Sequence, residues 1–404
     1  MNIWYISAHD QPRGKSSRTY DFARELVRLG HEVTLMTNSY CHWTHSERLD
    51  EGEKWRIESI DGIRVIWLKT HHYVGNGVGR GINMITNAVR ALQVDRVLGD
   101  KPDIVVGPSV PPGTGWAASR IASGRGAAFV YEVRDVWPIS LVDDGGLSRS
   151  NPVYWGFRLL EKYLYRQADR ISATMPFLFH HVEESGGDPA KVKWMPNGVS
   201  LDRFEGFETY DGGEAGRLTV MYVGGFGVAH DVISVVHAAS ILQSKHPGKF
   251  RFVIIGGGPR KEHCVAEADR LGLRDVEFRK PIPKAEVPRA QTEADLLLAA
   301  VTDSEAYRFG LNLNKIYDYW ASARPVVFSG NAPNDPIAES GAGFSVLPEK
   351  PEALAEAINR VRLLSPLERQ EMGLKGRRYV EEKFDMEVLG KKMAELLIEA
   401  AECR

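Results

Sequence analysis

The sequence is poor in cysteine. It has three in 404 residues, Cys41, Cys264 and Cys403, far apart and in no C-x-x-C pair. That excludes a disulfide framework and a zinc knuckle, and three free thiols suit a reducing cytoplasm. No apolar run approaches the ~20 residues that a membrane-spanning helix needs. Residues 1–8 lack the basic segment and cleavage site of a signal peptide. One-signed charge is also missing: 51 Lys+Arg against 53 Asp+Glu leaves −2. This balance removes a polybasic nucleic-acid binder and an acidic solvating tail, so no nucleic-acid partner is expected. There is no repeat at a period of roughly 20–50 residues and no low-complexity tract.

Missing motifs narrow the chemistry further. G-x-G-x-x-G does not occur; Gly256-Gly257-Gly258 runs into Pro259, Arg260 and Lys261. A nicotinamide or flavin dehydrogenase loses its main support, and a tight turn after a buried strand explains the triplet. The phosphate-loop pattern ending in Gly14-Lys15-Ser16 needs a glycine where His9 stands, and no Walker-B partner is evident. What survives there is a glycine loop before a helix. It is either a plain strand-to-helix turn or an anion cradle made of backbone N–H groups and the helix dipole.

What is present reads as α/β. Hydrophobic residues at 43% and charged residues at 26% make an ordinary globule with a sizeable core. At ~150 residues per domain, the length gives two or three domains. Apolar runs at 2–7, 31–37, 64–68, 103–107, 127–133 and 170–173 read as strands buried on both faces. Helical patterns at 82–98, 115–123 and 153–167 alternate with them, after a first helix marked by Tyr20, Phe22, Ala23, Leu26 and Val27. Beyond the surface connection at 206–216, a second series follows. Its strands are 218–223, 250–255, 276–278, 294–300, 325–328 and 343–347, with helices at 231–244, 315–322 and 352–364. Two closing helices lie at 367–383 and 387–400. The expected architecture is two doubly wound domains facing across a cleft, at 1–200 and 201–385, followed by a terminal helix at 386–404. Ligands sit outside the carboxyl ends of parallel strands, so the useful residues belong in loops just after strands.

Four such segments carry chemistry. Gly224-Gly225-Phe226-Gly227 follows the first strand of the second series, where glycines admit a close ligand, and His230 opens the next helix. Glu132-Val133-Arg134-Asp135 ends a strand; Asp135 can accept a proton or hold a sugar hydroxyl, or Arg134 can pair with Asp135 or Glu132 to support the loop. The densest signal is residues 307–319. A glycine loop, Phe309-Gly310-Leu311, enters a helix and offers amides to phosphate. Arg308 and Lys315 add cations to counter two phosphate charges, and Asp318, three residues on, can share a face with Lys315 and hold a ribose diol. Lastly, residues 82–98 carry Ile85, Val89 and Leu92, with Arg80, Arg90 and Arg96 beside them. The segment can lie on an anionic membrane surface, though such a pattern more often forms a core helix with a basic outer face.

Taken in order and spacing, these segments resemble GT-B glycosyltransferases of family 4, and more narrowly the bacterial surface-polysaccharide branch with fucosamine-transferase-like enzymes. The resemblance also runs through Gly30-His31-Glu32-Val33-Thr34, Pro196-Asn197-Gly198-Val199, Ala323-Arg324-Pro325-Val326-Val327 and Gly330-Asn331-Ala332-Pro333. It implies two Rossmann-like domains that close on the donor with a hinge near 200–204, and a last helix that crosses back to the first domain. It implies retaining transfer from a nucleotide-diphosphate sugar, UDP by family habit with GDP open, to a hydroxyl of a saccharide or lipid-linked saccharide. In the family's E-x7-E motif the second acid matches Asp318, as a ribose ligand, while the first falls at Gly310. An Arg and a Lys of many members fall at Gly225 and His230, so Arg308 and Lys315 are expected to replace that charge. The expected donor-binding set is therefore Gly14, Lys15, Gly225, His230, Arg308, Phe309, Gly310, Leu311, Lys315 and Asp318. Asp135 and Glu132 are the expected catalytic residues. With no D-x-D, neither metal nor cofactor is expected. The expected setting is the cytoplasm, at the inner membrane face if residues 82–98 touch it. A nucleotide-sugar epimerase and a non-catalytic nucleotide-sugar binder remain as alternatives on the same fold.

Overall fold

The structure is a computed structural model that describes residues 1–12, 18–42, 44–75, 77–143, 146–208, 210–213 and 216–404. The chain divides into two units. One comprises Met1–Pro196 with Met386–Arg404, the other Asn197–Asp385.

The first unit is built on eight strands: β1 (Asn2–Ile6), β2 (Glu32–Asn38), β3 (Trp55–Ile60), β4 (Ile63–Leu68), β5 (Ile104–Pro108), β6 (Ala128–Val133), β7 (Arg170–Ala173) and β8 (Val192–Trp194). They lie in the order β3-β4-β2-β1-β5-β6-β7-β8, with β3 antiparallel to β4 and every other pair parallel. The helices of this unit up to the domain switch are α1 (Arg18–Arg28), α2 (Val78–Asp95), α3 (Pro112–Arg125), α4 (Ile139–Asp143), α5 (Pro152–Gln167) and α6 (Leu178–Glu184). The order reverses between β1 and β5, the switch point at which ligands enter such sheets.

The second unit has β9 (Leu218–Val223), β10 (Phe250–Ile255), β11 (Val276–Arg279), β12 (Leu296–Ala300), β13 (Val326–Ser329) and β14 (Gly343–Val346), all parallel, in the order β11-β10-β9-β12-β13-β14. Its helices are α7 (Val232–Lys245), α8 (Lys261–Arg270), α9 (Val287–Gln291), α10 (Asn314–Ala321), α11 (Pro336–Ser340), α12 (Pro351–Leu363) and α13 (Pro366–Lys383). Here the switch point lies between β9 and β12.

Apolar strands buried on both faces need a helical layer on each side, and each unit supplies two. In the second, Val235 and Val236 of α7 and Ile358 of α12 cover one sheet face, while Ile316 and Trp320 of α10 and Val380 of α13 cover the other. In the first, the final helix α14 (Met386–Glu402) lies against α1. Its Leu389, Met393 and Leu397 join Phe22 and Leu26 over Ile3, Leu35 and Val106.

Several elements depart from the sequence reading, among them the unforeseen β8, α4, α6, α8, α9 and α11. Strand β3 was not foreseen. It is an edge strand with alternate residues exposed, and its Arg56, Glu58 and Ser59 dilute the apolar signal. Helix α2 starts at Val78 rather than Ile82, and its buried side is not the expected one. It buries Asn83, Asn87, Ala88, Ala91 and Val94 and leaves Ile82, Ile85 and Val89 exposed. The reason is a buried polar network. Asn87 Nδ2 donates to Asn38 Oδ1 and the Ser7 carbonyl, Thr114 donates to Asn87 Oδ1, and Asn83 Nδ2 donates to Thr70 and the His71 carbonyl. Buried amides must be paired, so the network decides which face turns inward. Residues 82–98 do pack on the first unit as a helix, but with the Ile85 and Val89 stripe outward rather than inward.

Candidate functional site

The second unit gathers its chemistry at the β9/β12 switch point. A glycine triplet supports the loop after β9 from below. Gly256, at φ +154°, lies so close that a Cβ would come within 1.8 Å of the Gly224 carbonyl oxygen. The Phe226 N–H donates to the Gly257 carbonyl at 3.0 Å, and the Arg260 N–H to the Phe226 carbonyl at 3.1 Å. The triplet is thus more than a turn: it holds the Gly224–Gly227 loop in place.

Into that loop comes Lys315, from the first turn of α10. Its ammonium donates to the Tyr222 hydroxyl at 2.9 Å and lies 4.1 Å from the centre of the Tyr222 ring. A Cβ on Gly224 would meet Nζ at 2.7 Å, so a larger residue there would push the amine aside. Burial lowers the Lys315 pKa to about 7. The helix is anchored by Tyr319, which accepts from the Val223 N–H and donates to the Leu298 carbonyl, tying α10 to the end of β9 and the middle of β12. No side chain caps the start of α10 at Leu313. His230 lies beside the loop, with Nδ1 buried and without a hydrogen-bond partner. Burial, and then the nearby Lys315 charge, lower its pKa to about 4, so the ring is neutral at pH 7. Gly225 is exposed at the crest of the loop.

The other expected donor groups are placed differently. Arg308 does not share the Lys315 site. It pairs with Glu305 at 3.2 Å, stacks 4.5 Å from the centre of the Phe309 ring, and lines a surface pocket with Asp303, Asn331 and Pro333. The two cations of the expected clamp therefore stand on separate elements, Arg308 in the turn at Glu305–Phe309 and Lys315 in α10. Phe309 and Leu311 are buried. The amides expected to cradle phosphate are already used: the Gly310 N–H donates to the Tyr307 carbonyl, and the Leu311 N–H to Asn334 Oδ1 at 2.7 Å. Gly310 sits at φ +105°, where glycine is favoured. Asp318 is engaged too, because Arg203 donates to its Oδ1 at 3.0 Å. Lys315 and Asp318 thus lie on one helix but turn to different partners. Gly14 and Lys15 lie outside the described residues.

In the first unit the expected catalytic pair separates into two roles. Glu132 is buried at 1% exposure between two guanidiniums: Arg18 Nε at 2.9 Å on one oxygen, Arg134 Nε at 2.6 Å on the other. Arg134 also pairs with buried Asp10, which accepts from Thr19 of α1. Desolvation pushes the Glu132 pKa up, but the two arginines outweigh it and hold the carboxyl below its ordinary range. Both oxygens accept from guanidiniums, so Glu132 anchors β6 to α1. Asp135 is different. Among the described residues it takes no salt bridge; Oδ1 accepts from the Val136 N–H at 2.9 Å and from Ser140 at 2.7 Å, and burial raises its pKa. The pairing partner of Arg134 is Glu132, not Asp135.

Sequence reasoning missed Tyr222, Tyr319, Arg203 and Asn334, which hold the site residues, and Arg18 and Asp10, which complete the Glu132 cluster. Of these, Tyr319 stood inside the 307–319 segment. Among the described residues, no three or more His, Cys, Asp or Glu side chains gather as a metal site.

Residues 13–198 match the family model of a glycosyl transferase 4-like domain, and residues 217–362 that of the glycosyl transferases group 1. The probable glycosyltransferase WbjE of Pseudomonas aeruginosa is 22% identical over 246 residues, 58% of this chain and 60% of that relative's length. Among solved structures, sucrose-phosphate synthase from Thermosynechococcus elongatus superposes with a TM-score of 0.73 at 16% identity, covering 98% of both chains. HepE of Anabaena, solved in complex with UDP-glucose, gives 0.68 at 15% identity, covering 98% of this chain and 99% of that one. WaaG, a glycosyltransferase involved in lipopolysaccharide biosynthesis, gives 0.69 at 18%, again covering 98% and 99%. At these identities the solved structures establish the shared fold of two parallel-sheet, Rossmann-like domains.

Proposed function

The chain belongs to the GT-B glycosyltransferases, and from that premise we propose that it transfers a sugar, with retention of configuration, from a nucleotide-diphosphate donor to a saccharide hydroxyl. The observation that carries the reading is the Lys315 ammonium seated in the Gly224 loop at the uncapped start of α10. A leaving diphosphate develops negative charge, which fixed donors and cations stabilise. Lys315 and the positive end of α10 supply both, and the glycines at 224 and 225 let the phosphates approach the backbone. Neutral His230 offers one ring nitrogen to a phosphate or sugar hydroxyl. Asp318, steadied by Arg203, takes the ribose diol with the rest of its carboxylate. The charge on the diphosphate is countered by protein groups rather than by a metal ion.

Retention without an assigned nucleophile is consistent with attack on the face the leaving group vacates, with the departing phosphate accepting the acceptor proton. Asp135 orients the acceptor or the sugar. UDP is the favoured nucleotide; HepE, of similar fold, was solved with UDP-glucose. The acceptor we infer is a saccharide on a lipid carrier in surface-polysaccharide synthesis, and WaaG, also of similar fold, is involved in lipopolysaccharide biosynthesis.

A thermal-shift screen against UDP, GDP and their sugar conjugates tests the donor site, since a ligand of the folded state alone raises its apparent stability. The expected result is a rise with one nucleotide series that Lys315→Met abolishes and EDTA leaves intact. No rise with any nucleotide would overturn the reading. Donor incubated alone must give no epimer, and product must form only when an acceptor is added.

A further inference from the structure

The first unit carries a cluster that the donor site does not use. It lies where the loops after β1, β2 and β4 meet the start of α2, and its rings pack on one another. The His9 and His42 rings lie 5.7 Å apart, His42 stacks on Tyr73 at 5.5 Å, and the Tyr73 hydroxyl meets His42 Nδ1 at 2.7 Å. Tyr40 stacks on His72 at 4.7 Å and donates to the Tyr73 carbonyl. The asparagine network of α2 ties that helix to Ser7, Asn38 and Thr70, at the roots of the same three loops. The cluster is therefore held on a fixed frame.

His9 Nε2 is buried and, among the described residues, has no hydrogen-bond partner. Burial first, then the Arg80 charge, lowers the His9 pKa to about 4, so the ring is neutral at pH 7 and keeps one N–H. His42 and Arg134 push in the same direction, and Asp10 opposes them. Burial raises the Tyr73 pKa, and the Arg80 charge opposes that rise. One guanidinium thus acts on both groups. Arg80 sits in the first turn of α2, an 18-residue helix, where a cation opposes the helix dipole. No side chain caps that helix start at Gly77, and its first turn holds no acid. A Cβ on Gly79 would come within 3.1 Å of Tyr73 Cβ, so the helix start lies close on the Tyr73 loop. The neighbouring carboxylates are engaged elsewhere. Asp10 takes Arg134 and Thr19; Glu47 takes His72 at 2.7 Å and the Arg48 and Leu49 N–H groups.

A buried imidazole nitrogen without a partner is costly, and so is a cation at the positive end of a helix. A bound anion removes both costs. The guanidinium, the imidazole and the helix N–H groups come from separate elements, which suits the several oxygens of a phosphoryl group. We propose that His9, Arg80, Tyr73 and the start of α2 bind a phosphoryl group, at a site in the first unit that does not involve Lys315. In sugar transfer this is the subsite for a phosphate or diphosphate borne by the acceptor saccharide. That role rests on the transfer reading above; the binding itself does not. Free phosphate has the same chemistry, and the test separates the two sources.

The full chain carrying Lys315→Met, which removes the donor-site cation, is titrated calorimetrically with α-D-glucose 1-phosphate, inorganic phosphate, D-glucuronate and methyl α-D-glucopyranoside. Glucose 1-phosphate should bind and the neutral glucoside should not. Adding Arg80→Gln should weaken binding roughly tenfold or more. It should not lower the melting temperature of the free protein, because it takes a cation from a helix start. His9→Ala should also weaken binding, and His9→Gln, which keeps an N–H, should restore part of it. In the unsubstituted chain the His9 Cε1–H resonance, assigned by its loss in His9→Gln, gives a second readout. An anion favours the charged ring, so either phosphate should raise the His9 pKa by about one unit or more. A merely structural His9 would show no such shift. Tighter binding of glucose 1-phosphate than of phosphate assigns an acceptor-borne group, and equal binding assigns free phosphate. The proposal is overturned if neither phosphate binds, if glucuronate or the glucoside binds equally well, if Arg80→Gln changes nothing, or if the His9 resonance stays unmoved. Phosphate binding that depends on Arg80, in a chain that UDP does not stabilise, would sink the donor-site reading alone. UDP stabilisation that depends on Lys315, without Arg80-dependent phosphate binding, would sink this proposal alone.

Discussion

The Lys315 ammonium donates to the Tyr222 hydroxyl, which in turn donates to the Gly225 carbonyl at 2.7 Å. One cation is thereby tied to the loop whose glycines leave room for it. The relay also fixes the loop crest, so ligand contact and loop geometry are coupled.

Lys315→Met should weaken UDP binding tenfold or more. The pH dependence follows from the Lys315 value of about 7. A bound diphosphate favours the charged amine, so affinity should fall as pH rises from 7 to 9 in the parent and stay flat in the variant. Stability has the opposite slope. The folded value lies below the ~10.4 of an unfolded lysine, so between the two the unfolded chain binds more protons. The free protein should therefore lose stability as pH falls from about 10 to about 7. Calorimetric titration and urea unfolding across that range check the two slopes.

Asp135→Asn should lower kcat by about 10²–10⁴ if the carboxylate handles the acceptor proton, with the fold intact because Asn can still accept from Val136 and Ser140. Steady-state rates beside a melting curve decide it. An unchanged kcat would reduce Asp135 to a loop support.

Glu132→Gln should act on stability. Arg18 would lose its carboxylate partner and Arg134 would keep only Asp10, at a cost of about 3–5 kcal/mol. Urea unfolding should show that loss, and nucleotide affinity measured on the folded fraction should not change. A large fall in kcat at unchanged stability would contradict the anchor assignment.

Gly256→Ala should disturb the donor loop from beneath, because the added methyl would meet the Gly224 carbonyl. Weaker UDP binding without any change at Lys315 is the expected outcome, read by calorimetry.

Leu397→Ala in α14 removes a fully buried side chain from the layer shared with α1. A loss of about 2–5 kcal/mol is expected. The transition reporting on the first unit should move and that of the second should not, as differential scanning calorimetry would show.

The α/β class, the two doubly wound series and most element bounds were legible in the sequence, because strands buried on both faces are written as unbroken apolar runs. Strands β7, β9 and β10 start and end where the runs do. The glycine loop after β9 and the 307–319 segment were legible as well, since both follow apolar strands.

Partnership was not legible. Lys315 and Arg308 are seven positions apart and looked like one clamp, yet one turns into the Gly224 loop and the other pairs with Glu305. Glu132 and Asp135 looked like equals on one strand end, but only Glu132 lies between two arginines brought from α1 and from its own strand end. On α2 the apolar stripe suggested the buried face, and a network of asparagines overruled it. Periodicity along a chain fixes which residues share a side of a helix or strand. Which side turns inward, and whose charge meets whose, depends on groups far apart in sequence whose desolvation has to be offset, and only the folded chain brings those groups together.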